Sequence, residues 1–251
     1  MKVLLHVLVL GLGIGFLSNG RAEAGEPAQG SGKIRVLIVT GGHDFEREPF
    51  LQIFKDNPGI TWKAVEHPNA HALLRPDAAK EYDVLVTYDL HQEITEQAKA
   101  DFLGRLKAGK GLVVLHHAIA SYQDWPEYTK LIGAHYYLAP KVVDGVNKKR
   151  SAYKHDVDFH VKLADANHPV TRGLKDFDVH DETYKWFDVS DDVTPLLTTD
   201  EPESNKVIGW AKTYEKARVV YIELGHDHGA YENPSYRQLV KQAIEWTAGR
   251  R

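Results

Sequence analysis

The residues best suited to chemistry in this sequence are histidines that follow apolar runs. His43 stands in Gly41-Gly42-His43-Asp44, His116 and His117 follow Leu115, and His226 stands in Gly225-His226-Asp227-His228. A fourth phrase, His180-Asp181-Glu182-Thr183-Tyr184, places imidazole, carboxylate and phenol together, with Trp186 beside it. Imidazole titrates near neutrality, so such groups serve as general acids and bases or as metal ligands. Glu182 could exchange a proton, and Tyr184 could hydrogen-bond a substrate hydroxyl. The other reading of 180–184 is an ordinary surface loop with a few ion pairs. The chain has 14 histidines and no cysteine, which excludes thiolate nucleophiles, cysteine-metal sites and disulfides alike.

The elements that must position these residues are legible in the hydrophobic pattern. Residues 34–39 (IRVLIV), 61–65, 82–86 and 111–115 (GLVVL) read as buried strands. Residues 46–56 and 95–108 read as helices, the second capped by Thr95 and stopped by Gly109. Continuous apolar strands alternating with amphipathic helices indicate an α/β fold with a parallel sheet covered on both faces. Residues 153–163, 193–197, 207–210 and 218–224 are further strand candidates, and 234–248 is the closing helix. In open parallel sheets, ligands bind beyond the carboxyl ends of the strands. The strand exits at His43, His116-His117 and His226 are therefore expected to converge. Successive side chains diverge on a strand, so one of His116 and His117 is expected to face the pocket. Glycines before His43 and His226 suit tight turns and close backbone approach.

Other residues have two readings. Trp125 and Tyr128 could stack on a sugar face, but they read more readily as core anchors at a helix start. His168, in a turn-rich phrase, reads as structural. Lys148-Lys149-Arg150 reads as a solvated loop, and a net charge of −4 gives no basic excess for a nucleic-acid partner.

The N-terminus reads as an export signal: Lys2, an apolar run over 3–17, and Ala22-Glu23-Ala24 as a cleavage site. The run is shorter than the ~20 residues of a spanning helix, so no stable membrane span is expected after cleavage. The expected organisation is a signal peptide over 1–24, a flexible lead-in over 25–32 and one domain over 33–251. Removing Lys2, Arg21 and Glu23 takes the mature net charge from −4 to −5. The expected destination is the periplasm or the medium.

Taken in order, several phrases resemble the ThuA-like domain family, named for trehalose utilisation. They are GGHD at 41–44, LHHA at 115–118, WPEYTKLIGAH at 125–135, HPVTRGL at 168–174, DETY at 181–184 and LGHD at 224–227. Asn233-Pro234 and Ile244-Glu245-Trp246 complete the set. The resemblance implies a flavodoxin-like, three-layer α/β/α sandwich related to class I glutamine amidotransferases, with a mostly parallel central sheet. In those relatives a cysteine sits on a sharp turn after a central strand and pairs with a later histidine. Here that turn carries His116-His117, and His226 looks like the partner's counterpart, so amidotransfer by a thiolate is ruled out.

The resemblance also implies carbohydrate catabolism through 3-keto glycosides. A 3-keto sugar has an acidified C2 proton, which calls for a base, an electrophile for the enolate oxygen and an acid for the leaving oxygen. The candidate catalytic residues are His43, His117, Glu182 and His226. The candidate substrate contacts are Asp44, His116, Trp125, Tyr184 and Asp227. No cofactor is assigned. Two alternatives stand beside this acid–base enzyme on a small carbohydrate: a zinc-dependent hydrolase using the same histidines, and a non-catalytic sugar-binding module rich in aromatics. Whether the chain forms a homo-oligomer is left open.

Overall fold

A computed structural model describes residues 32–251. The signal-peptide reading and nearly all of the expected lead-in lie outside the described residues. In chain order the elements are β1 (Ile34–Gly41), α1 (Arg47–Lys55), β2 (Ile60–Glu66), β3 (Val84–Asp89), α2 (Glu96–Lys107), β4 (Gly111–Leu115) and α3 (Pro126–Ile132). Three short strands follow: β5 (Ala134–His135), β6 (Lys141–Val143) and β7 (Val146–Lys148). Then come β8 (Ala152–Leu163), β9 (Phe177–Lys185), β10 (Asp188–Val189), β11 (Thr194–Thr198), β12 (Val207–Tyr214), β13 (Ala217–Ile222), α4 (His228–Tyr231) and α5 (Pro234–Thr247).

Nine strands form the main sheet in the order β2-β1-β3-β4-β13-β12-β11-β8-β9. The first five run parallel, and the remaining four extend one edge as antiparallel neighbours. The alternation of strand side chains builds two cores from single apolar runs. Val36 and Ile38 of β1, with Val84, Val86, Val113 and Val220, face α1 and α5. Leu37 and Val39, with Leu85, Leu112, Val114 and Tyr221, face α2 and α3. This is the expected α/β/α sandwich, and it explains why these strands read as continuous apolar runs rather than as alternating ones. Each fully buried aliphatic side chain contributes about 1.5–3 kcal/mol.

The helix ends follow their sequence signals. Thr95 Oγ1 accepts from the Ala98 amide at 3.2 Å. Asn233 Oδ1 accepts from Ser235 and Tyr236, ahead of Pro234 in the first turn of α5.

Two expectations need correction. The surface-loop reading left open for 180–184 does not hold: residues 177–185 form a strand, and positions 181–184 are all buried. Their polarity hid a strand whose polar side chains are paired inside the protein instead of hydrated. The third strand begins at Val84 rather than Tyr82, because Tyr82 turns its hydroxyl to the Leu73 carbonyl. No helix among the described residues is long and apolar enough to cross a membrane.

Candidate functional site

The carboxyl ends of β1, β4 and β13 point the same way, and their exits meet. β4 delivers Leu115 directly into His116, whose φ of 51° is left-handed. For an L-residue that conformation costs roughly 1–2 kcal/mol, so its surroundings must hold it. They do so on three sides. His116 Nδ1 donates to the Glu223 carbonyl at 2.6 Å, and Tyr184 Oη lies 2.9 Å from Nε2. The Tyr221 hydroxyl donates to the His116 carbonyl at 3.3 Å.

The β13 exit turns at Gly225, where φ is 114° and an added Cβ would fall 2.3 Å from Tyr236 Oη. Glycine is required there. The Asp181 carboxylate accepts from the Gly225 amide at 2.7 Å and from the His226 amide at 2.9 Å. That clamp joins β9, at the far edge of the sheet, to the central strand exits. On β9 the two-residue period then turns Glu182 and Tyr184 to one face.

The resulting cluster is tight. Glu182 Oε2 lies 3.1 Å from His116 Nε2 and 3.5 Å from His226 Nδ1. His116 Nε2 and His226 Nδ1 are 3.3 Å apart. His155 on β8 places Nδ1 3.2 Å from Glu182 Oε1. The β1 exit adds a second group. An added Cβ at Gly42 would fall 2.1 Å from the Leu90 carbonyl, and the turn it permits stacks His43 on His117 at 4.6 Å between centroids. His43 Nδ1 donates to the Asp44 carbonyl at 2.6 Å. Both ring nitrogens of His117 are buried without a hydrogen bond of ordinary geometry.

The electrostatics follow from burial and pairing. Burial alone would lower the His116 pKa, but the Glu182 hydrogen bond and charge outweigh it and hold the imidazole above its usual value. The same pairing holds the Glu182 carboxyl below its usual range despite burial. Burial, then the neighbouring His116, lowers His226. Burial pushes Asp181 up to about 6, against His116 and the two amides it caps. It also carries Glu223 well above the ordinary carboxyl range.

A cavity of about 220 Å³ stands beside this cluster, and His43, His117, His155, Glu182, Tyr184 and Arg150 are among its lining residues.

A family model described as ThuA, trehalose utilisation, matches residues 35–247. The chain belongs to this family. Membership points to a role in sugar metabolism. Among solved structures, the ThuA fold recurs in a putative ThuA-like protein of Parabacteroides merdae, at TM-score 0.72 and 19% identity over 86% of this chain and 90% of that one. It recurs again in a putative ThuA-like protein of Bacteroides uniformis, at TM-score 0.67 and 20% identity, covering 89% and 95%. A glutamine amidotransferase of Thermotoga maritima aligns at TM-score 0.51 and 16% identity, covering 86% and 98%. These likenesses show a shared fold. Among curated proteins, none matches.

Within this ThuA chain, the structure brings together His43, His116, His117, Glu182, Tyr184 and His226. His117 lines the cavity, while His116 lies fully buried with Nε2 turned to Glu182. The structure does not place Trp125 there. Its side chain is 6% exposed and packs among Phe102, Tyr122 and Tyr128 in the α2–α3 core, so an apolar anchor, not a sugar platform, occupies that position. Asp227 caps α4 by accepting from the Gly229 amide at 2.8 Å, which commits that carboxylate to the backbone. Asp44 is exposed, and its carbonyl orients His43.

Sequence reasoning missed His155, Arg150 and Tyr136. Tyr153 and His155 alternate along β8, a two-residue period that marks one face of a strand, and that signal could have found His155. Arg150 was absorbed into a basic triplet read as solvated. In the structure Lys148 pairs with Asp188, Lys149 lies over Trp186, and Arg150 lines the cavity.

Proposed function

We propose that this protein is an exported enzyme of sugar catabolism that performs proton-transfer chemistry on a keto-glycoside, a small carbohydrate bound in the strand-exit cavity. One observation carries the reading: His43, His117, Glu182 and Tyr184 line one small cavity, with His116 and His226 in contact with Glu182 behind its wall. His43 and His117 bring stacked imidazoles, and both nitrogens of His117 lack a hydrogen bond of ordinary geometry. The cluster of His116, Glu182, His226 and Tyr184 brings polarising and proton-donating groups. A cavity of about 220 Å³ suits a single sugar ring. Titratable side chains at its wall (His43, His117, His155, Glu182 and Arg150) outnumber the tyrosines (Tyr136, Tyr153 and Tyr184), which favours catalysis over simple sugar binding.

In a 3-keto glycoside the carbonyl acidifies the C2–H bond. His117, with His43 stacked against it, takes that proton. The cluster opposite stabilises the enolate oxygen and protonates the glycosidic oxygen as the C1–O bond breaks, leaving a C1–C2 double bond. General acid–base groups of this kind are each worth about 10²–10⁴-fold.

Incubation of the protein with 3-keto-glucosides in D₂O tests the reading. The expected result is deuterium exchange at C2 or release of the aglycone, both followed by NMR, with a loss of about 10²–10⁴-fold in His117→Ala. A folded protein that neither exchanges C2 nor releases aglycone from any keto-glycoside overturns it.

A further inference from the structure

His116 Nε2 is surrounded by more partners than hydrogen bonding can use. Nδ1 donates to the Glu223 carbonyl, an acceptor only, so Nδ1 holds a proton and Nε2 offers one lone pair or one further proton. Facing that single position are Tyr184 Oη at 2.9 Å, Glu182 Oε2 at 3.1 Å and His226 Nδ1 at 3.3 Å. Glu182 Oε2 in turn lies 3.5 Å from His226 Nδ1. Two imidazole nitrogens and one carboxylate oxygen thus form a nearly equilateral triangle with edges of 3.1, 3.3 and 3.5 Å. Around a tetrahedral zinc ion with bonds of about 2.0–2.2 Å, ligand atoms stand roughly 3.3–3.6 Å apart. The triangle has the dimensions of one face of that tetrahedron.

We infer that His116, Glu182 and His226 bind a divalent transition-metal ion, with zinc the first candidate. The surroundings are those a ligand set requires. A ligating histidine usually donates its other nitrogen to a carbonyl or carboxylate, which fixes the tautomer; His116 does so to Glu223. A ligating carboxylate is usually held through its second oxygen, and Glu182 Oε1 lies 3.2 Å from His155 Nδ1. The His226 backbone is clamped by Asp181. Three protein ligands leave further positions for water or a substrate oxygen, the arrangement typical of reactive rather than structural zinc.

The ligands come from three distant strand ends, so no local sequence motif announces them. Among the described residues this is the one group of three such donors whose atoms all lie within 4.8 Å of one another. His43 and His117, expected from sequence as alternative ligands, stack on each other outside it. Metal binding stands by itself. Only the role given to the ion, polarising the substrate carbonyl as the electrophile while Tyr184 at the cavity wall and not the ligands supplies the proton, rests on the proposed function.

The test begins with tag-free protein analysed for bound metals by mass spectrometry, because two imidazoles and a carboxylate also accept Fe(II) and Mn(II). Chelator-stripped protein is then titrated with Zn²⁺ by calorimetry and with Co²⁺ by visible absorption. The expected result is about one ion per chain and a cobalt spectrum of low coordination number. Glu182→Gln, which keeps the shape of the side chain, and His116→Ala should each weaken zinc by more than the roughly 10–100-fold typical of an outer-shell change. His67→Ala, outside the cluster, should bind as the parent does. No binding by the parent, or unchanged binding in a folded Glu182→Gln protein, overturns the inference. Turnover of keto-glycosides without metal binding would remove the metal and leave the proposed function standing. One ion bound with no C2 exchange would do the reverse.

Discussion

A second histidine cluster stands at the same end of the sheet, beyond β1, β2 and β3, and it is assembled differently from the first. There His67 Nε2 meets Asp89 Oδ2 at 2.9 Å, with both side chains almost wholly buried. The His67 and His91 rings stack face to face at 4.0 Å with 8° between their planes, and His71 meets His67 edge-on at 4.7 Å. His71 Nε2 spends its hydrogen bond on the Tyr122 hydroxyl at 3.2 Å. These rings touch through their faces and edges. The Tyr122 hydroxyl fills the point that His67 Nε2, His71 Nε2 and Asp89 Oδ2 share, at 3.4, 3.2 and 3.4 Å. In the His116 cluster the rings present nitrogens to a common point, with several partners competing for it. Histidine content is equal evidence in both places. What separates the two is mutual approach of the donor atoms: among the described residues, only His116, Glu182 and His226 bring three within 4.8 Å of one another.

The contrast would break most visibly if both clusters responded alike to mutation. Glu182→Ala should reduce turnover by about 10³-fold, or roughly 4 kcal/mol of transition-state stabilisation, with a modest change in urea midpoint. Equal losses of stability and turnover per folded molecule would make the cluster merely structural. His67→Ala should do the opposite. It strands the buried Asp89 carboxylate with only the Tyr122 hydroxyl at 3.4 Å and should cost about 3 kcal/mol of stability. Turnover per folded molecule should stay within about twofold. Trp125→Phe should cost about 1–2 kcal/mol through the volume lost from the core and leave KM unchanged. A rise in KM without destabilisation would restore Trp125 as a sugar contact.

The smallest effect lies in the pH dependence. Burial, then the neighbouring His67 and His91, lowers the His71 pKa from 6.5 to about 4. Between those values the unfolded chain binds the proton and the folded chain does not, so stability falls as pH drops from about 6.5 toward 4. Above that window the contribution is fully present. Urea midpoints measured across it should decline less steeply in His71→Gln, and identical slopes would show that folding does not lower the His71 pKa.

The layers of the fold were readable because their cause is local. The run at 34–39 is apolar on both faces because both faces are covered, and Thr95 and Asn233 cap their helices from within the same few residues. The candidate site was readable only in part. His43, His117 and His226 follow strands, and a strand exit has a known side of a parallel sheet. Glu182 and Tyr184 were picked out by residue type, yet a surface loop stayed open as the other reading of their segment, since a polar segment buried by specific partners looks like a solvated one. His155 and Arg150 went unnoticed because β8 and the segment before it had no partner in sequence to say which face would turn inward.

By itself, then, the sequence determined the chemistry on offer: imidazole and carboxylate, no thiol, delivered at strand exits of a covered parallel sheet. The tertiary structure alone decided which of 14 histidines converge. That choice depends on the left-handed turn at His116 and on Asp181 tying an edge strand to the Gly225 turn. It also depends on Glu182 standing 66 positions from His116 and 44 from His226. Local pattern carries no information about contacts at such separations, because they are set by how the layers pack and not by the period of any one element.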